Sequence, residues 1–351
     1  MSQLDLLLTP IQLNETLCLK NRIVMAPMTR NMAHDDLSPT QLMAEYYARR
    51  ADAGLIITEG TIIRQDAKGY SNVPGIFTRE QIEGWKKVTD SVHANKGHIF
   101  SQIWHLGRVS HPYFLNGALP ISASATVMTG RVSRSDGLTY GRSRAATLDE
   151  IKETIESYAA AARNAIAAGF DGIEIHGANG YLIDQFLHYH TNHRIDSYGE
   201  TPENMARFAL EIVKACGDTI GYQKVGIRLS PGAYLNEIVG DKRDAEVFQY
   251  LLEQLNLLPI AYVHTGNFND KVIFEELNQK TMTEFMRTYF EGILIATGSY
   301  DFHEGQEKIK NKEFDLLGIG RPFIANPNLI QKLHNNETIN LYDASMLNTL
   351  F

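Results

Sequence analysis

Cysteine is nearly absent: 2 in 351 residues, at Cys18 and Cys216. That excludes a disulfide framework, an all-cysteine zinc site and a cysteine-held iron–sulfur cluster. No apolar run is long enough to span a bilayer. The opening MSQLDLLLTP has no basic region and its short apolar run carries Asp5, so no signal peptide is expected. Positive charge is not in excess, since 33 Lys and Arg against 41 Asp and Glu leave a net charge of −8. Nucleic acid and anionic membranes are therefore disfavoured as partners. A reduced, cytoplasmic setting is the expectation.

What is present is an ordinary globular composition, 44% hydrophobic and 21% charged. Short apolar runs alternate with longer amphipathic stretches about eight times. The expected strands are Ile23–Met28, Leu55–Thr61, His98–Trp104, Gly172–His176, Lys224–Leu229, Ala261–His264, Gly292–Ala296 and Asp315–Ile319. They are rich in Ile, Val and Leu without polar alternation, as parallel strands covered on both faces should be. Helix starts are marked at Ser38-Pro39-Thr40-Gln41, at Thr78 with Gln81, at Thr147 with Glu150, at Thr201-Pro202 and at Asn326-Pro327. Eight βα units in a chain of this length predict an α/β fold of the (β/α)8 TIM-barrel type, one domain spanning residues 1–351. A doubly wound sheet is the alternative, disfavoured because no G-x-G-x-x-G follows the first strand.

Two stretches interrupt the alternation. Residues 1–20 precede the first strand and are expected to form a hairpin that plugs the barrel floor. Residues 106–146 separate strand three from its helix, and an insertion of this length on the catalytic side reads as a lid or binding wall.

Active sites of such barrels lie at the C-terminal ends of the strands. Those ends carry no lysine, which argues against Schiff-base chemistry, and no paired carboxylates, which argues against glycosidase chemistry. The richest is DGIEIHGANGY at 171–181, where His176, Asn179 and Tyr181 cluster as a strand hands over to a helix. His and Asn can donate to one oxygen and Tyr can supply a proton, a setting for adding hydride to an activated alkene. The plain alternative is a capped strand-to-helix turn. His176, His188, His190 and His193 suggest a metal, but no carboxylate or Cys spacing completes a shell, so none is expected.

The other strand ends suit a flavin mononucleotide. Gln102 can pair with the pyrimidine edge of the ring, and Arg228 would neutralise charge developing on it. Thr29, after Pro27-Met28, could donate to flavin O4, and Gly60 leaves room for a flat ring. Thr297-Gly298 and Gly320-Arg321 follow strands seven and eight, where barrels hold phosphate, with Arg321 as the clamp. Each residue alone has a structural alternative, such as an ion pair, a buried amide or a tight turn.

From about Leu19 to Leu333 the chain resembles the Old Yellow Enzyme family of FMN-dependent ene-reductases. The resemblance rests on NRIVMAPMTR at 21–30, TEG at 58–60, QIWHLGR at 102–108, DGIEIHGANGYLIDQFL at 171–187, NHRIDSYG at 192–199, ENMARF at 203–208, VGIRLSP at 225–231 and GIGRPFIANPNL at 318–329. It implies a barrel with non-covalent FMN, reduced by NADPH or NADH, that acts on enones, maleimides or nitro compounds. His176 and Asn179 would hold the substrate oxygen, hydride would reach the β-carbon, and Tyr181 would protonate the α-carbon. Trp104 and Tyr70 would line the substrate pocket. A nitroester or quinone reductase, or a flavin-binding module without turnover, are the competing functions. A monomer or homodimer is expected. Two departures stand out: Glu200 replaces a usual Gly and Met205 a usual Arg in the family pattern YGGSxENRxRF.

Overall fold

The apolar runs close into a ring. The computed structural model describes residues 4–133, 135 and 137–351. Eight parallel strands follow one another: β1 Ile23–Met25, β2 Leu55–Ile57, β3 Ile99–Trp104, β4 Gly172–Gly177, β5 Val225–Leu229, β6 Tyr262–Thr265, β7 Leu294–Ala296 and β8 Leu316–Ile319. Each pairs with the next, and β8 returns to β1 through Leu317↔Ile23 and Ile319↔Met25. The closed ring excludes the doubly wound alternative. The strands are shorter than expected at several ends; the second stops at Ile57, and Thr61–Ile62 pairs separately with Ile103 and Trp104 at the end of β3.

The barrel interior is stratified. Near its floor Val24, Leu55, Ile57, Phe100, Tyr262, Ile295 and Leu316 pack with Leu13 and Leu19. The last two flank or belong to an antiparallel hairpin, Ile11–Gln12 with Cys18–Leu19, which is the expected plug; residues 1–3 of the expected segment lie outside the described residues. Burying each such side chain contributes roughly 1.5–3 kcal/mol. Above this layer the inward positions turn polar, with Gln102, Glu174, Arg228 and His264.

Among the described residues, eight of the ten α-helices are α1 Gln41–Ala48, α2 Arg79–Ala94, α3 Leu148–Ala167, α4 Pro202–Ile220, α5 Asp244–Leu255, α6 Met282–Tyr289, α7 Phe302–Lys310 and α8 Leu329–His334, which cover the ring. Thr78 with Gln81 and Thr147 with Glu150 close reciprocal capping boxes, and Thr201 caps α4 ahead of Pro202. Two expected starts are corrected. The cap of α1 is Thr40, because the Ser38 hydroxyl is engaged by Asp36 at 2.6 Å. The last helix begins after Asn328, because the Asn326 Oδ1 that would cap it accepts instead from the Asn340 N–H at 2.8 Å and from Lys332 Nζ at 2.9 Å.

Both departures from the family pattern have structural counterparts. Glu200 takes φ +68, the left-handed region where glycine is strain-free. Met205 is fully buried in the apolar core, so no ion pair forms at that position.

The insertion carries a strand pair and a hairpin. Ile121–Ser122 pairs with Arg144–Ala145, and between them bridges Val127↔Arg142 and Arg131↔Thr139 make a hairpin. Residues 134 and 136 of it lie outside the described residues. It is tied to the loop after β5: Arg108 Nη2 donates to the carbonyls of Asn236 at 2.9 Å and Glu237 at 3.0 Å, and the Glu237 carboxylate accepts from Thr129. Among the described residues no helix is long and apolar enough to cross a membrane.

Candidate active site

Side chains two apart on a strand share a face, so β4 sends both Glu174 and His176 into the barrel. Glu174 aligns with Gln102 on β3, and His176 with Arg228 on β5, which aligns with His264 on β6. The carboxylate of Glu174 accepts from Gln102 Nε2 at 2.8 Å and from His264 Nδ1 at 2.8 Å. Burial alone would raise the Glu174 pKa, but His264, Arg228 and Gln102 outweigh it and hold it below the usual range. Burial, opposed by Glu174 and helped by Arg228, holds the His264 pKa below its ordinary value. The network thus assigns the His264 proton to Nδ1.

His176 lies one layer higher, stacked on Trp104 with ring centroids 5.6 Å apart and planes at 11°. Burial, then the charge of Arg228 and the proximity of His264, hold its pKa well below the ordinary histidine value. It is a neutral imidazole with one N–H, and among the described residues its Nδ1 has no hydrogen-bond partner. Asn179 follows at φ +61. Its Oδ1 accepts from Tyr234 at 2.6 Å and lies 3.2 Å from Ser230 Oγ, while its side-chain NH2 is left for another acceptor.

Tyr181 packs edge-on against Trp104 at 4.6 Å and His176 at 5.0 Å. Its hydroxyl is 3.2 Å from that of Tyr70, so Tyr70 and Trp104 stand beside the triplet. Burial, reinforced by Tyr140 and opposed by the hydrogen bonds from Tyr70 and Asn236, pushes the phenol to about 12, well above an ordinary tyrosine. The group stays protonated across the working pH range. Helix Leu182–Leu187 has no side-chain cap at Tyr181, and the Gly180 N–H is taken by Asp184 at 2.7 Å.

Beyond Arg228 lies a cavity of about 580 Å³, within the size range of small-molecule sites. Pro27, Met28, Thr297, Gly298, Gly320 and Arg321 line it with Arg228. Arg228 is buried, donates to the Thr265 carbonyl and to Thr297 Oγ1, and has no carboxylate within ion-pair distance among the described residues. A buried guanidinium facing an open cavity without an anion suits an electron-rich ring, and the exposed Arg321 at the far end suits a phosphate. The residues present therefore fit FMN.

Individual roles are sharper than the sequence reading. The Thr297 hydroxyl is committed to the Thr265 carbonyl at 2.5 Å, so this residue braces Arg228. Gly298 is required for packing, since a Cβ there would fall 2.4 Å from that of Asp270. A Cβ at Gly60 would fall 2.5 Å from the Trp104 indole. Thr29 is half-buried on a loop whose next N–H groups, Arg30 and Asn31, bind Glu59. Burial lifts Glu59 to about 7 against the pull of these N–H groups and of Arg30. Gln102 gives one N–H to Glu174 and keeps its carbonyl and its second N–H for a ligand. Thr29, Gly60, Gln102 and the triplet lie outside the lining of the cavity itself, and Arg228 bridges the two.

Among the described residues no three His, Cys, Asp or Glu side chains are placed to hold a metal. His188 instead lies between Asp244, at 2.8 Å, and Asp184, at 3.3 Å, all buried. His190 accepts from the Val239 N–H. Sequence reasoning missed Tyr140, Ser230, Tyr234 and the Glu174–His264 pair. Only Glu174 had a local signal, two positions before His176 on an inward face.

Comparison with known proteins agrees with this geometry. The signature of the NADH:flavin oxidoreductase / NADH oxidase family, which binds FMN, matches residues 6–340. Flavin oxidoreductase hxnT of Emericella nidulans is 40% identical, the alignment covering 98% of this chain and 94% of that protein. The solved structure of an old yellow enzyme homologue from Zymomonas mobilis superposes with a TM-score of 0.91 at 36% identity, covering 97% of this chain and 96% of the other. Morphinone reductase in complex with tetrahydroNAD gives a TM-score of 0.88 at 40% identity, covering 97% and 93%. The chain belongs to the Old Yellow Enzyme family and is an FMN-binding, NAD(P)H-dependent flavin oxidoreductase.

Proposed function

We propose that the chain is an ene-reductase that reduces the activated C=C bond of α,β-unsaturated carbonyl, maleimide or nitro compounds. One observation carries the reading. A neutral His176, an Asn179 amide whose oxygen is already anchored, and a protonated Tyr181 stand together at the end of β4. Two N–H donors on the carbonyl or nitro oxygen draw electron density from the β-carbon and stabilise negative charge as it develops. Tyr181, held in place by Trp104 and by the Tyr70 hydroxyl, delivers a proton to the α-carbon. Trp104 and Tyr70 wall the substrate pocket.

Bound FMN supplies the two-electron carrier between NADPH or NADH and the substrate. Pro27, Met28, Thr29, Gly60 and Gln102 would contact its ring system. Arg228, braced by Thr297, would balance negative charge on it. Gly298, Gly320 and Arg321 would hold the phosphate. The likeness to a relative named morphinone reductase supports this class of reaction.

The test is anaerobic turnover with NADPH and with NADH on cyclohexenone, with cyclohexanone measured by gas chromatography. Stoichiometric cyclohexanone is expected. Nicotinamide oxidation that requires oxygen and leaves cyclohexenone, maleimide and nitroalkene untouched would refute the proposal.

A further inference from the structure

An amide that must donate to a substrate oxygen can also turn over and present its carbonyl instead. Its two ends have nearly the same shape, so the choice is made by whatever holds the other end. At Asn179 two hydroxyls approach Oδ1: Tyr234 at 2.6 Å and Ser230 at 3.2 Å. They are not equivalent. Ser230 has a single proton and a second, shorter contact with the Gly266 carbonyl at 2.7 Å, an acceptor that cannot donate. That carbonyl takes the serine proton, and Ser230 Oγ then accepts from the Asn179 backbone N–H at 3.1 Å. Tyr234 is left as the full donor to Oδ1. Its distance is that of an O–H···O bond and too short for N–H···O.

We propose that Tyr234 is a positioning residue, whose hydroxyl fixes the Asn179 carboxamide with its NH2 turned to the substrate oxygen. This rests on the role of Asn179 proposed above. The surroundings suit the task. The Tyr234 ring is held edge-on by Phe268, with centroids 5.7 Å apart and planes at 89°. From the same loop Asn236 Nδ2 donates to the Asn179 backbone carbonyl at 2.7 Å, so the segment after β5 grips both oxygens of Asn179. Burial raises the Tyr234 phenol, which keeps it a donor. The loop is in turn fastened to the insertion by Arg108 and Glu237, so the insertion sets the aim of an amide at the end of another strand.

The readout is the bound state of p-chlorophenol on FMN-loaded enzyme. Donors at the oxygen favour its phenolate, which gives a long-wavelength charge-transfer band with oxidised flavin. The pH midpoint of that band reports those donors and is insensitive to general loosening of the fold. Four proteins are compared: wild type, Tyr234→Phe, Asn179→Ala and the double variant, each checked for full FMN content. Tyr234→Phe should weaken phenol binding about tenfold and raise the midpoint by about one unit. It should raise the KM for cyclohexenone by a similar factor. In the Asn179→Ala background it should do nothing further. An unmoved midpoint in Tyr234→Phe, or an equal shift with Asn179 absent, would overturn the proposal. If Asn179→Ala itself leaves the midpoint unchanged, the oxygen-binding role of Asn179 fails, and the role of Tyr234 with it.

Discussion

Replacing Tyr181 by Phe removes one hydroxyl and little else. The ring contacts with Trp104 at 4.6 Å and His176 at 5.0 Å survive, and so does the backbone bond from Leu182 to the His105 carbonyl. What is lost is the 3.2 Å contact with the Tyr70 hydroxyl and the hydrogen bond from Asn236, each costing about 0.5–1.5 kcal/mol of stability, and the proton itself. With its pKa pushed to about 12, the wild-type phenol is protonated throughout the neutral range, so it contributes no pH dependence below about pH 10. Loss of a positioned general acid slows proton transfer roughly 10²–10⁴-fold, or about 3–5 kcal/mol of barrier. Stopped-flow measurement of both half-reactions separates the effects. Reoxidation by cyclohexenone should slow by that factor, whereas reduction by NADPH, which needs no external acid, should change little. Quinones, whose reduced oxygens are protonated by solvent, should also be nearly unaffected. Equal slowing of both halves would show that Tyr181 shapes the pocket and does not deliver the proton.

Three further outcomes are expected. Arg321→Ala should weaken FMN binding by one to two decades, as a lost charge-assisted phosphate contact of about 1.5–3 kcal/mol would; flavin fluorescence titration of the apoprotein measures it, and unchanged affinity would place the phosphate elsewhere. Burial disfavours charge on His188, but Asp184 and Asp244 overcome it and carry its pKa up to about 10. Because the folded value is raised, its stabilisation is complete below an unfolded value near 6.5 and is lost as pH climbs towards about 10. Urea unfolding at pH 6, 8 and 10 should show this loss in wild type and a flatter profile in His188→Leu. Glu200→Gly, at φ +68, should raise stability by about 1 kcal/mol by relieving left-handed strain, and a lower Tm would contradict it.

The barrel was legible because its signals are local. Buried parallel strands read as continuous apolar runs, and Thr78 with Gln81 or Thr147 with Glu150 carry their caps within four residues. The triplet His176, Asn179 and Tyr181 was legible for the same reason, sitting in one strand-to-helix turn. Misplaced caps arose where a nearer competitor took the side chain, as Asp36 did Ser38. The roles that could not be read depend on partners far along the chain. Tyr234 reaches Asn179 across 55 residues, and His188 meets Asp244 across 56. At Gly60 the missing Cβ makes room for the indole of Trp104. No periodicity or spacing reveals which ring will occupy a gap.

The proposed role of His176 and Asn179 is tested most directly by mixing reduced enzyme anaerobically with cyclohexenone in the stopped flow. Wild type is compared with the double variant His176→Ala, Asn179→Ala. Wild type should be reoxidised with formation of cyclohexanone. The double variant should keep its FMN and still be reoxidised by oxygen, but react with cyclohexenone at least about 10²-fold more slowly, as expected when preorganised donors to a developing oxyanion are removed. Reoxidation of the double variant by cyclohexenone at the wild-type rate would contradict the site described here.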